Sequence, residues 1–390
     1  MTHPASFIYL SRSRLHRNRA NLFQTLKTAH ALHQAGVPLS VWLPPWHRLD
    51  VKARLRDIGI RSTVPLVRRQ LLHRRWPVGL FARVYRHRLA QADTLYTRDA
   101  WLAYTLCQHG LRCHLEVHEV APLHASGLLA DVIALHRAGR IASLLPISQA
   151  AFNLLAHAGA ESTRMYVVPS AADIEAFAQI MPLQPEHLQR PVGIYAGTIT
   201  HSRGLGILQA IADSGHCEVL LVGTLKHPLQ ARSGLHLQGF VPPADIPALY
   251  GRAGLALMPY QPDLRHAGVI SPLKIYEAMA AGRAVLASDL PAIREIIRHG
   301  ENGFLLPPDQ PGAWIAQIQQ LQQQPELALM VAQRARQAAQ QHSWQHRAER
   351  LVQILGIVRD PIAAEKDALA ERIGLINPPP QPAPAASNLR

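Results

Sequence analysis

Residues 268–306 read GVISPLKIYEAMAAGRAVLASDLPAIREIIRHGENGFLL. A loop of small residues opens into a helix at Ser271-Pro272, and the helix runs to Ala281-Gly282. A strand follows over Arg283 to Ala287, and Asp289-Leu-Pro starts another helix. Ser271 is a good N-cap, and Pro272 suits the first helical position, where its missing N–H would go unbonded anyway. The next free N–H groups, including that of Leu273, then point out of the helix end with the positive pole of the dipole behind them. Lys274 in the first turn is a poor choice for helix stability, because a cation sits badly at that pole. It makes sense if an anion is bound there. Glu277 lies one turn on, placed to accept hydrogen bonds from paired hydroxyls such as a ribose diol. An ordinary strand–helix unit with a solvated Lys and Glu is the alternative that this segment alone leaves open.

The rest of the chain extends the same grammar. In the first half, short apolar segments at Ser6–Leu10, Leu39–Leu43, Ser62–Pro65, Thr94–Thr97, Cys113–Val117, Ser143–Ile147 and Met165–Val168 predict strands. Amphipathic patterns at about 18–35, 78–91, 99–109, 126–138 and 149–158 predict helices between them. A Pro-rich stretch near 183–191 reads as a linker. A second alternation follows, with strands at Val192–Ala196, Glu218–Val222, Leu235–Gln238 and Leu255–Met258 and helices at 203–213, 243–252, 309–324 and 326–341. The expected fold class is α/β, with two Rossmann-like doubly wound domains facing a cleft. The expected domains are 1–185, which is basic, and 186–342. A last amphipathic helix is expected over 343–358, and a Pro/Ala-rich tail at 374–390 reads as disordered.

Length and composition agree with two soluble domains: 390 residues are too many for one compact core, and 48% are hydrophobic. No run of 18 apolar residues and no secretory signal pattern is present. Cys107, Cys113 and Cys217 are scattered without a CxxC, which points to free thiols and a cytoplasmic setting. The net charge of +14 is uneven. Residues 1–185 hold 22 Lys and Arg against 10 Asp and Glu; the remainder holds 18 against 16. Residues 48–88 carry twelve Arg and Lys against Asp50 and Asp57, interleaved with Leu71, Leu72, Trp76, Leu80, Phe81 and Tyr85. Such a surface suits anionic lipid headgroups, hence peripheral attachment to the inner face of a membrane. No RRM, KH or zinc-finger pattern appears, so nucleic acid is not an expected partner. Neither half carries GxGxxG after its first strand, which counts against a nicotinamide dehydrogenase.

Three further segments of the second half converge on the pole of the opening helix. In YAGTITHSRGLGILQA (195–210), Gly197 allows close backbone approach and Arg203 is placed to pair with a phosphate. In LLVGT (220–224), Gly223 ends a strand. In QGFVPPADIPALYGRAGLALMPY (238–260), Gly239, Phe240 and Val241 leave a strand with backbone groups free for a base edge.

These segments resemble, in sequence and in order, the donor domain of family 4 retaining glycosyltransferases, over roughly 192–310. HSWQHRAERLVQIL (342–355) is similar to that family's closing helix, and LYTRDAW, HLEVHEV, PISQAAF and MYVVPSAADIEAF resemble its N-terminal half more loosely. The resemblance implies a GT-B fold, with 1–185 acceptor-binding, 186–342 nucleotide-sugar-binding and the helix over 343–358 packing back on the first domain. It implies transfer of a sugar from a nucleotide diphosphate sugar to a glycan or lipid-linked hydroxyl. It implies retention at the anomeric carbon, no obligatory metal or other cofactor, and a place in polysaccharide biosynthesis. Residue by residue, it assigns the ribose contact to Glu277, the phosphate cations to Arg203 and Lys274, and the loop glycine to Gly197. It assigns the histidine near the donor sugar to His118, with Glu119 beside it. Two positions depart from the pattern. The acid eight residues before the ribose contact is Val269, and the Arg expected after the loop glycine is Thr198. Asp263, Arg265 and His266 are the polar residues available nearby. A GT-B epimerase or phosphorylase, or a scaffold that binds without turnover, are the alternatives that the missing acid keeps open.

Overall fold

The computed structural model describes residues 7–226, 228–230, 232–265 and 267–358. The expected tail at 374–390 therefore lies outside the described residues, as does His266. Twelve strands form two parallel sheets of six. The first contains β1 (Phe7–Leu10), β2 (Leu39–Leu43), β3 (Leu66–Arg68), β4 (Thr94–Thr97), β5 (Cys113–Val117) and β6 (Ile141–Pro146), in the order β3-β2-β1-β4-β5-β6. The second contains β7 (Val192–Ala196), β8 (Glu218–Val222), β9 (Leu235–Gln238), β10 (Leu255–Met258), β11 (Ala284–Ser288) and β12 (Phe304–Leu306), in the order β12-β11-β10-β7-β8-β9. Each sheet thus has the doubly wound order, with its first and fourth strands adjacent at the centre and the chain winding outward from them in both directions.

The strands form where β-branched and aliphatic residues are buried on both faces, as helix-covered parallel sheets require. β1, β4, β6, β10 and β11 are buried at every residue. The strand expected at Ser62–Pro65 lies instead at Leu66–Arg68, because Pro65 lends its carbonyl to Val41 N–H and pairing starts after it. Met165–Val168 is not a strand; it touches the sheet through the bridge of Met165 to Leu144 and through Tyr166 and Val168 N–H, which donate to the Leu144 and Pro146 carbonyls at 3.0 and 2.8 Å. The expected linker is not free either. Leu183 and Leu188 are buried in the second half's core, with the short helix Glu186–Gln189 between Pro185 and β7. Ala172, Ile174 and Phe177 already pack with Tyr250 and Tyr276. We therefore propose that the chain crosses between domains near 169–171, rather than at 185.

The helix Trp344–Leu355 returns to the first sheet. Its Ala348, Leu351 and Val352 share a core with Phe7, Leu22 and Leu26. Ser343 caps it by accepting from His346 N–H at 3.0 Å. Cys107 and Cys113, 6 residues apart in sequence, have Sγ atoms 3.9 Å apart, both buried and free; Cys217 is also buried and free.

Leu351 is fully buried in the returning helix. Leu351→Ala should cost about 2–5 kcal/mol of stability, read from the urea midpoint. A change below about 0.5 kcal/mol would show that the helix does not belong to the core.

Candidate functional site

The C-terminal ends of the second sheet's central strands carry the first half of the site. After β7 the chain passes Gly197 and Thr198, turns through the short 3-10 helix His201–Arg203, and enters the helix Leu205–Asp213 through Gly204. Gly204 has φ +82°, and a Cβ there would lie 2.0 Å from the Pro259 carbonyl oxygen, so only glycine fits. The same close approach recurs at the strand ends. A Cβ on Gly197 would lie 2.2 Å from Lys274 Cε, and a Cβ on Gly223 would lie 2.0 Å from the Gly197 carbonyl oxygen. Lys274 therefore lies across Gly197, which in turn lies against Gly223, and the two loops are tied by Gly197 N–H to Val222 O at 2.7 Å.

Lys274 belongs to the helix Leu273–Ala280. The expected N-cap is corrected here. Pro272 takes the cap position with extended geometry, and Leu273 begins the helix. Ser271 is buried, and its Oγ accepts from Ser170 N–H at 2.9 Å and lies 3.3 Å from Tyr276 Oη. Gln24 from the first half donates to Ser170 Oγ at 2.8 Å. The serine thus fastens the loop to the crossing segment instead of capping its own helix. Among the described residues, the N–H groups of Leu273 and Lys274 have no partner, so the helix end still presents two donors.

The charged groups close on one another without pairing. Among the described residues, neither the Lys274 ammonium nor the Glu277 carboxylate has a hydrogen-bond or ion-pair partner. Burial lowers the Lys274 value, Glu277 nearby raises it, and Arg203 lowers it further. Burial raises the Glu277 value against the pull of Lys274. Burial opposes the charge of Arg203, but the Tyr195 and Tyr260 hydroxyls more than offset this, and its value lies above the ordinary one. Gly197, Gly223, Arg203, Lys274 and Glu277 are therefore assembled around one helix end. Gly239 and Phe240 lie at the exit of the edge strand β9. Phe240 is 45% exposed, with Val241 partly buried behind it.

Val269 is buried and packs with the first half's core, and its carbonyl accepts from Ser148 Oγ at 3.0 Å. The position where the resemblance calls for an acid is thus an apolar contact with the other half. Asp263 and Arg265 are exposed.

Across the cleft, His118 follows β5. Its Nε2 lies 2.5 Å from Oε1 of Glu116, a buried acid that sequence reading missed. Glu116 also accepts from Tyr96 Oη and pairs with Arg347 Nη2 of the returning helix at 2.9 Å. Arg347 and His118 hold the Glu116 carboxyl well below its usual range despite its burial. Burial and Arg98 press His118 down to about 4. The ring is neutral near pH 7, and a proton on Nε2 facing the carboxylate leaves Nδ1 as an acceptor. The available signal was Glu116 itself, an acid two residues before a histidine and on the same face of an apolar strand. Lys27 was missed as well; it donates to Gly59 O at 2.9 Å and to Asp173, whose charge reaches Glu277.

Residues 191–324 match the family model described as glycosyl transferases group 1. The chain is 27% identical over 176 residues to a D-inositol 3-phosphate glycosyltransferase of Jonesia denitrificans, covering 45% of this chain and 37% of that protein. It covers between a quarter and little more than a third of the curated relatives it matches. The fold extends further. Anabaena Alr3699/HepE in complex with UDP and glucose superposes with TM-score 0.67 at 17% identity, over 90% of this chain and 99% of that one. The sucrose-phosphate synthase of Thermosynechococcus elongatus superposes with TM-score 0.69 at 14% identity, over 89% and 97%.

His30, His114 and His118 are all pushed down to about 4, in each case first by burial. Unfolding returns them to their ordinary value of 6.5. Stability is then complete above about pH 6.5 and falls as pH drops toward 4, with unfolding taking up ~3 protons. Urea midpoints measured from pH 7.5 to 4.5 should decline steadily; a flat profile would contradict neutral burial of these rings. The two halves of the cleft, one resembling a group 1 glycosyltransferase domain in sequence and both sharing the GT-B fold, frame the functional reading.

Proposed function

We propose that the chain is a retaining glycosyltransferase that moves a sugar from a nucleotide diphosphate sugar to a hydroxyl of a glycan or lipid-linked acceptor. The observation that carries this reading is Lys274, a cation held by Gly197 at the positive end of a helix, with Arg203 beside it and no carboxylate paired to either. That arrangement is unfavourable when empty and becomes favourable around a diphosphate. The helix N–H groups and the two cations stabilise the negative charge that grows on the leaving diphosphate. Glu277 accepts the ribose hydroxyls, and Phe240 with Gly239 and Val241 borders the base.

The acceptor hydroxyl attacks from the face that the diphosphate leaves, so the leaving phosphate oxygen takes the hydroxyl proton and no enzymic nucleophile is needed. The sugar–phosphate bond breaks as the sugar–acceptor bond forms, and the configuration is retained. His118, neutral and held by Glu116, offers Nδ1 as an acceptor to a sugar hydroxyl. Val269 gives up the family's polar contact to the donor sugar in exchange for packing between the halves.

The acceptor side is basic, and we propose that it rests on an anionic membrane surface. Leu72 and Phe81 of the expected apolar set are core residues. Trp76, Leu80 and Val84 are exposed instead, beside Arg75, Arg83 and Arg86. Among the described residues, no helix is long and apolar enough to cross a membrane.

Lys274→Ala and Arg203→Ala should each lower turnover of the preferred nucleotide sugar by roughly 10²-fold or more, with the thermal transition retained. Near-normal activity in both variants would sink the assignment. Vesicles containing anionic lipid should sediment the protein at low salt and release it at high salt. Sedimentation indifferent to lipid charge would remove the membrane from the account.

A further inference from the structure

The donor pocket uses the second sheet's central crevice, and the first sheet has one of its own. β1 and β4 are neighbours, but the chain leaves them in opposite directions, toward β2 and toward β5. The loops after them diverge and leave a crevice at the carboxyl ends of the strands, where open α/β sheets take ligands. Here the crevice is a cavity of about 180 Å³ walled by Arg12, Arg14, Arg17, Arg19, Arg74 and Arg98. Four of the six lie in the loop after β1, in SRSRLHRNR (11–19).

The single carboxylate in the wall is Asp99, and it is already committed. It lies 4.0 Å from Arg12 Nη1, while its Oδ1 caps the helix Ala100–Gln108 by accepting from Leu102 N–H at 3.0 Å. Arg98 donates to the Asn21 carbonyl at 3.0 Å. Among the described residues, the guanidiniums of Arg14, Arg17, Arg19 and Arg74 have no carboxylate within ion-pair distance. The loop is also built. Beneath it Arg54, 7% exposed, donates from Nε to Leu15 O and from Nη2 to Arg17 O, each at 3.0 Å. Leu15 anchors it as a fully buried side chain. A loop that carried cations only for solubility would need neither fixture.

We infer that this cavity binds a phosphate or diphosphate group carried by the acceptor, on the same sheet edge from which His118 follows β5. Guanidinium forks match phosphate oxygens two at a time. Six of them against one committed acid exceed what a single carboxylate would neutralise, so the charge calls for a phosphate dianion or a diphosphate. Arg98 joins the two places: it lines the cavity, and its charge acts on both His118 and Glu116. The word acceptor rests on the transferase reading; the binding of the anion does not.

The test separates the two anion sites in the full-length chain. Inorganic pyrophosphate is titrated calorimetrically into the Lys274→Ala/Arg203→Ala protein, in which the donor pocket has lost its cations. Saturable binding is expected, and adding Arg14→Ala/Arg19→Ala should weaken it about ten-fold or more, with thermal unfolding verifying the fold. Absence of saturable binding, or an unchanged affinity after the arginine substitutions, overturns the site. Equal responses to sulfate and pyrophosphate at matched ionic strength would overturn it too, as a mere excess of charge. In turnover, Arg14→Ala/Arg19→Ala should raise KM for phosphorylated acceptors far more than it lowers kcat. Water-soluble sugar phosphates and lipid-linked diphosphates in detergent then tell which source carries the group. If no nucleotide sugar is turned over while pyrophosphate binding still depends on Arg14 and Arg19, the transferase reading falls and the anion site stands.

Discussion

The contact on which the second half of this molecule depends is the lysine laid over a glycine. Lys274 crosses Gly197 so closely that any side chain there would overlap it, and the Gly197 carbonyl in turn excludes any side chain at Gly223. Three segments remote in sequence meet within one strand spacing, and they meet through missing side chains. A lysine in the first turn of a helix works against the helix dipole. The close packing holds it there anyway, with its ammonium unpaired among the described residues and Arg203 and Glu277 within electrostatic reach. Local stability is sacrificed at the place where an anion would recover it, which is the usual relation between strain and function.

Much of this was legible in the sequence. Leu39–Leu43, Thr94–Thr97, Cys113–Val117 and all four strands expected between Val192 and Met258 appear with the bounds their apolar runs suggest, since helix-covered strands are mostly apolar; the edge strand β9 is the half-exposed exception. The misses have local causes. Pro65 cannot donate to a ladder, so β3 starts one residue later than the end of its expected segment. Ser271 has the composition of a cap and serves as a tether, because Ser170, brought to it by the crossing of the chain, offers an N–H that local sequence cannot reveal. Val269 and Leu188 likewise answer to partners distant in the chain. The Glu116 network was hidden for the same reason, since Tyr96, His118 and Arg347 come from three separate segments.

The two sheets share one strand order, and each places a cationic crevice between its first and fourth strands. The second half closes its crevice with a helix end and two cations. The first half lines its crevice with arginines on a loop fastened by Arg54. The returning helix connects the two, because Arg347 reaches from the end of the second half to the acid that orients His118. Glu295 makes a second connection, accepting from Gln149 and Ala150 N–H at 2.6 and 2.7 Å at the start of a first-half helix.

The central claim is that the Lys274 pocket holds a nucleoside diphosphate. It is tested most directly by titrating the full-length chain calorimetrically with UDP, GDP and ADP, alongside a Gly197→Val variant that fills the space Lys274 now occupies. The account predicts that at least one of the three binds more tightly than pyrophosphate does at the arginine cavity, and that the variant loses this base-dependent binding while it still unfolds cooperatively. Absence of binding by all three in the unmodified chain, or undiminished binding by the variant, would contradict it.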